Sequence, residues 1–198
     1  SADLLPTPGL AWLTSTRDVP LGAMISASHN PAEDNGIKLF AGGGAKLTDA
    51  QQSEIEMRLR DEVDRRSPDG DPSPAELVHD ATLEDAYAEH LIELGRSGEP
   101  LDLSGMRIAV DCANGAASRV GPRVLESLGA NVVALHASPD GTNINDRCGS
   151  THPRSLQKRV TEAGADLGIA LDGDADRCLL VDENGQLVDG DGIMTILA

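Results

Sequence analysis

The stretch Arg107-Ile108-Ala109-Val110-Asp111, continuing into Cys112-Ala113-Asn114-Gly115-Ala116, decides the fold. Three apolar residues between polar ends make a short buried strand, and the glycine-containing turn behind it leads into a helix that runs through Leu128. The same unit then repeats outward. Residues 131–137 read as a strand, 139–148 as a loop, 153–163 as a helix closed by Gly164, and 165–171 as another strand. Residues 178–182 form the next strand, and Asn184-Gly185 turns tightly into a strand at 186–188. Strands alternating with helices from residue 104 onward predict an α/β domain.

Upstream, the pattern is less regular. Asp3-Leu4-Leu5 followed by Pro6-Thr7-Pro8 reads as a strand end entering a loop. The apolar run 20–27 reads as a buried strand ending at Ser28, and 30–44, rich in Gly and Asn, as a loop. A helix starts at Thr48, which has capping-box spacing to Gln51, with Ile55, Leu59 and Val63 as its apolar stripe. Residues 67–74 (SPDGDPSP) read as a linker, and 82–94 as a helix with Leu83, Tyr87 and Leu91 on one face. The chain stops within an apolar helix start at 192–198, so both ends read as cut and the sequence as a fragment.

Composition excludes several function classes. Only Trp12, Phe40 and Tyr87 are aromatic, too few for a base-stacking surface. Sixteen basic residues against 33 acidic ones give a net charge of −17. Such a field repels nucleic-acid backbones and anionic membranes, so neither is an expected partner. Cys112, Cys148 and Cys178 show neither disulfide nor zinc-motif spacing. With no apolar run long enough to span a bilayer and no signal peptide at the start, a cytoplasmic location is expected.

Two constellations carry chemistry. Ser26-Ala27-Ser28-His29-Asn30-Pro31, then Asp34-Asn35-Gly36-Ile37-Lys38, puts a hydroxyl at the end of a buried strand, where it is held rigidly. His29 and Lys38 are placed to move protons or balance phosphate charge, although a Ser-His pair alone is more often just a polar turn. Asp172-Gly173-Asp174-Ala175-Asp176-Arg177 sets three carboxylates at alternate positions after an apolar strand. If the loop curls they converge, and their repulsion is relieved by a hard cation such as Mg²⁺. The spacing is not that of an EF-hand, since position six of the count is Arg177 rather than Gly. A solvated acidic turn remains the bland alternative. The turn 111–116 reads as a tight connection, the polar loop 140–153 as surface, and His79, His90 and His136 as structural.

Taken together, SASHNP with DNGIK, DCANGA, PDGTNIN with CGSTHP, and DGDADR with VDGD resemble the α-D-phosphohexomutases, in order, from residue 4 to the end. The NIN…CGSTHP stretch is most similar to the phosphoglucosamine branch. The resemblance implies phosphohexomutase-type α/β domains, each a mixed sheet packed with helices. Residues 1–80 would be the C-terminal part of the first domain, and 81–198 the second domain with the start of the connection to a third. It further implies Ser28 as the phosphoserine, with Asp172, Asp174 and Asp176 holding Mg²⁺ together with the Ser28 phosphate. His29 and Lys38 would work beside the phosphoserine, and Arg177 on phosphate.

The implied reaction interconverts glucosamine 6-phosphate and glucosamine 1-phosphate through a 1,6-bisphosphate, supplying UDP-N-acetylglucosamine. The implied partners are a hexosamine phosphate and the missing domains of the same chain, with a homodimer allowed at full length. The family's N-terminal arginine motif, sugar-recognition loop and distal phosphate site are absent, so the piece alone is expected to be inactive. Other readings stay open: phosphomannomutase or phosphoglucomutase, a non-catalytic metal-binding module, or a phosphatase with an aspartate nucleophile at Asp172.

Overall fold

The computed structural model describes residues 1–65 and 76–198, so the linker expected at 67–74 lies outside the described residues. A five-stranded sheet of order β4-β3-β5-β6-β7 forms its centre: β3 (Arg107–Asp111), β4 (Asn131–Leu135), β5 (Leu167–Leu171), β6 (Cys178–Asp182) and β7 (Leu187–Val188). β4, β3 and β5 run parallel, while β6 and β7 are antiparallel additions, so the sheet is mixed.

Strand β3 lies inside the sheet, between β4 and β5, and is apolar on both faces. On one face Ala109 packs with Leu156 and Val160 of α5 (Arg154–Ala163) and with Ala170 and Val181. On the other, Ile108 packs with Ile92 of α3 (Thr82–Arg96) and with Leu128, which follows α4 (Val120–Ser127). Burying a side chain such as Leu156 contributes roughly 1.5–3 kcal/mol, which is what fixes α5 against the sheet. As expected, Gly164 ends α5 in the left-handed conformation, at φ 59°.

The secondary structure of the N-terminal part differs from expectation in two places. Residues after Pro6 form helix α1 (Thr7–Thr16) rather than a loop. Pro8 is no obstacle in a first turn, where its missing N–H would have had no intrahelical partner. Leu13 of α1 then joins Leu5, Tyr87, Ala88 and Val120 in a core, and Trp12 stacks on His90 with ring centroids 4.4 Å apart. Within the expected loop 30–44, residues 36–41 form a strand. β1 (Leu21–Ser26) and this β2 (Gly36–Ala41) make a separate antiparallel pair with Met24 opposite Lys38.

Helix α2 (Asp49–Arg65) starts as expected, the Thr48 N–H donating to Gln51 Oε1 at 2.9 Å. Its stripe is not a buried face, since Leu59 is 58% exposed; the Val63 side chain lies outside the described residues. Among the described residues, no helix is long and apolar enough to cross a membrane.

Candidate active site

The carboxyl ends of parallel strands in an open α/β sheet gather ligand-binding loops, and β5 delivers Leu171 straight into the Asp172–Arg177 loop there. Ala175, at φ 57°, curls the loop so that oxygens of Asp172, Asp174 and Asp176 lie within 4.8 Å of one another. The convergence expected from alternate spacing is therefore present. Asp172 and Asp174 are almost fully buried, whereas Asp176 is more open.

Each buried carboxylate has a different environment. Asp172 Oδ1 accepts the Arg177 backbone N–H at 3.2 Å, but Oδ2 is buried with no hydrogen-bond partner among the described residues. Burial, helped by the neighbouring Asp174 and Asp176 carboxylates, pushes Asp172 up to about 6. At Asp174 burial also raises the pKa. The hydrogen bond and charge of Lys38, with the hydroxyls of Thr7 and Ser28, outweigh it and hold the group below the usual carboxylate range.

Ser28 meets this loop from the end of β1. Its hydroxyl donates to Asp174 Oδ1 at 3.1 Å. Its backbone sits at φ 55°, the left-handed region that a non-glycine residue seldom adopts. Three contacts hold it there. Its own N–H donates to Ser26 Oγ at 2.9 Å, Asn145 Nδ2 donates to its carbonyl at 2.8 Å, and Gly173 packs against that carbonyl. A Cβ on Gly173 would lie 2.4 Å from the Ser28 carbonyl oxygen, so only glycine allows the approach.

Lys38, on β2, places its ammonium on Asp174 Oδ2 and 3.9 Å from Asp176 Oδ2. Arg177 reaches back over His29, its Nη2 lying 2.8 Å from His29 Nδ1. A guanidinium only donates, so Nδ1 accepts and the ring proton of this contact sits on Nε2. All seven residues singled out in the sequence thus meet in one place.

Two residues of the site were not foreseen. Thr7 binds Asp174 twice, through its hydroxyl and its backbone N–H, both at 3.0 Å. Asn145 belongs to the loop expected at the surface, yet it is 7% exposed and also donates to the Asn30 carbonyl at 2.9 Å. The one available signal was the run Thr142-Asn143-Ile144-Asn145, polar side chains around a branched apolar one. The 111–116 turn is a tight connection, as expected. Its Ala116 N–H is taken by the Gly173 carbonyl at 2.8 Å and is not free for phosphate.

These residues fit a hard divalent cation. The donors are all oxygens, Asp172 Oδ2 lacks a partner, and an ammonium already leans on the other two carboxylates.

The family model described as phosphoglucomutase/phosphomannomutase, alpha/beta/alpha domain II, matches residues 85–185, more than half of the chain. Domain I of the same family matches residues 1–66. The chain belongs to the phosphoglucomutase/phosphomannomutase family. Within this family it is 53% identical over 195 residues to the phosphoglucosamine mutase of Rhodococcus jostii, an alignment covering 98% of the chain and 43% of that relative. The chain thus spans less than half the length of the curated relative it matches.

Among solved structures, a phosphoglucomutase/phosphomannomutase family protein from Burkholderia thailandensis superposes with a TM-score of 0.71 at 28% identity, over 94% of this chain and 40% of that one. The N-acetylphosphoglucosamine mutase of Aspergillus fumigatus, in complex with GlcNAc-6P and magnesium, gives 0.60 at 24% identity, over 98% and 51%. The latter likeness is one of fold.

Proposed function

We propose that this chain is the phosphoserine-loop and metal-loop portion of a phosphoglucosamine mutase, an intramolecular phosphotransferase. The observation that carries the reading is the Ser28 hydroxyl, 3.1 Å from Asp174 within a ring of three converging carboxylates. The 53% identity to a phosphoglucosamine mutase supports the amino sugar as substrate.

In this reading residues 1–80 belong to the first domain and 81–198 to the second, and the full-length enzyme interconverts glucosamine 6-phosphate and glucosamine 1-phosphate through a 1,6-bisphosphate. Ser28 carries the phosphoryl group that passes to one sugar oxygen and is regained from the other. Asp172, Asp174 and Asp176, with the Ser28 phosphate, hold Mg²⁺. When bound, that ion offsets charge on the transferring group. Arg177 contacts phosphate. Its hold on Nδ1 leaves Nε2 of His29 to carry the ring's proton, and Lys38 supplies a second proton donor and a positive charge beside Asp174.

A phosphoserine adds about −1.5 to −2 charges to a pocket already holding three carboxylates, so the cationic side chains of Lys38 and Arg177 are needed there as well as the ion. The product supplies UDP-N-acetylglucosamine in the cytoplasm. The remaining domains complete sugar recognition, a homodimer is compatible with the full-length chain, and the chain alone lacks turnover.

Phosphopeptide mapping of the full-length protein after exposure to a hexosamine 1,6-bisphosphate and Mg²⁺ tests this. Phosphate on Ser28 is the expected result. Phosphate on Asp172 would indicate an aspartyl enzyme, and none anywhere a non-catalytic module.

A further inference from the structure

A second group of metal-ligating side chains gathers at the carboxyl ends of β3 and β4. Oxygen, nitrogen and sulfur atoms of Asp111, His136 and Cys148 all fall within 4.8 Å of one another. Asp111 ends β3, His136 follows β4, and Cys148 closes the 137–148 loop, so three elements deliver one donor each. Asp111 and Cys148 are fully buried, and the His136 side chain, 32% exposed, forms the side open to water.

Ordinary packing leaves this group incompletely satisfied. Asp111 Oδ1 is occupied by the Ala113 N–H at 3.0 Å, and Oδ2 receives only a long contact from Ser155 Oγ at 3.5 Å. His136 Nδ1 sits 3.0 Å from that same Oδ2, yet the contact is not aligned as a hydrogen bond. The nitrogen is buried and has no hydrogen-bond partner among the described residues. The backbone of His136 is moreover held at φ 45°, and its carbonyl is pinned by the Asn114 N–H at 2.6 Å. A residue in the left-handed region therefore holds an unpartnered ring nitrogen 3.0 Å from a buried carboxylate, with a buried thiol in the same group.

We propose that Asp111, His136 and Cys148 form a second metal site, selective for a borderline-soft divalent cation of the zinc type. A thiolate and an imidazole favour such ions over magnesium, which prefers oxygen alone. Zinc–ligand bonds of about 2.0–2.3 Å space tetrahedral donors roughly 3–4 Å apart, which this group meets with small side-chain movements. Water on the exposed side of His136 takes the fourth position. Binding deprotonates the Cys148 thiol, and the proton leaves to solvent. An ion here ties the 137–148 loop to β3, and that loop carries Asn145, which holds Ser28. The site does not depend on the proposed mutase activity.

Cobalt(II) reads it out directly. The reduced chain is titrated with Co²⁺ in excess Mg²⁺, so that the all-oxygen Asp172–Asp176 site is filled and silent. One equivalent should raise a near-ultraviolet thiolate-to-cobalt charge-transfer band that persists in Cys178→Ser and disappears in Cys148→Ser. His136→Gln should weaken Co²⁺ binding at least roughly tenfold, since even loss of an outer partner costs that much. If Cys148→Ser does not fold, the partly exposed His136 decides the matter. Absence of the band, a band that follows Cys112 or Cys178, or unchanged affinity in His136→Gln would show that His136 merely neutralises Asp111.

Discussion

Asn145 holds Ser28 by its backbone, the side-chain amide lying 2.8 Å from the Ser28 carbonyl across 117 residues of chain. A left-handed serine costs on the order of 1–3 kcal/mol and persists only where its surroundings over-determine it. Asn145, Ser26 and Gly173 provide that constraint. The hydroxyl at Asp174 is thus positioned by contacts to main chain, which survive whatever becomes attached to the Ser28 side chain.

Asn145→Ala removes the donor to both the Ser28 and Asn30 carbonyls. We expect a loss of about 1–3 kcal/mol in urea unfolding, the cost of leaving partly buried acceptors unpaired. In the full-length protein, Ser28 phosphorylation by a hexosamine 1,6-bisphosphate should slow by roughly 10²-fold, as misplacement of a reacting group by about 1 Å does. Unchanged stability and rate would remove Asn145 from this role.

Gly173→Ala introduces a Cβ 2.4 Å from the Ser28 carbonyl oxygen and 2.5 Å from Ile144 Cδ1. Both must move, at a cost of about 1–3 kcal/mol for an overpacked site. A clear fall in Tm is expected; a Tm equal to that of the unsubstituted chain would mean the two loops are not in contact in solution.

Ser28→Ala deletes one hydroxyl and one hydrogen bond to Asp174, leaving the backbone clamp in place. Turnover of the full-length enzyme should fall by several orders of magnitude, while its circular dichroism and its Tm stay close to normal. Wild-type-like rates would refute Ser28 as the phosphoryl carrier.

Tyr87 is the chain's single tyrosine, so its ionisation can be followed by absorbance without interference. Burial raises its phenol above the ordinary 10.0. Above pH 10 the unfolded chain has released this proton while the folded chain retains it, so unfolding releases protons and stability falls as pH rises. Below pH 10 the contribution is fully present. The native titration midpoint should exceed that in denaturant, and Tyr87→Phe should lose less stability than the parent between pH 9 and 11. Coincident midpoints would contradict the packing of Tyr87 under α1.

The C-terminal α/β unit was legible because its signals are local. The apolar core of 107–111, the run 178–182 and the cap at Gly164 each announce themselves within a few residues. The acidic loop was legible for the same reason, three aspartates in five positions. Helix α1 was hidden by Pro6 and Pro8, which punctuate loops and first turns alike. Strand β2 was hidden by the glycines and asparagines around it, although Ile37, Leu39 and Phe40 were in view. Thr7 and Asn145 could not be assigned from spacing. Their partners lie more than a hundred residues away, and only the tertiary fold makes the contacts.

Lys38 sets the charge of the acidic loop. Its ammonium rests on Asp174 and faces Asp176, so the acidic loop carries its own replaceable counterion on the neighbouring strand. One ammonium offsets one of three carboxylate charges, and Arg177, with Nε 3.7 Å from Asp176 Oδ1, tempers what is left, so the loop keeps a net negative charge that favours a cation without being driven apart. On the proposed reading, a divalent cation would enter by displacing this one flexible side chain, while Thr7 and Ser28 keep Asp174 in place throughout.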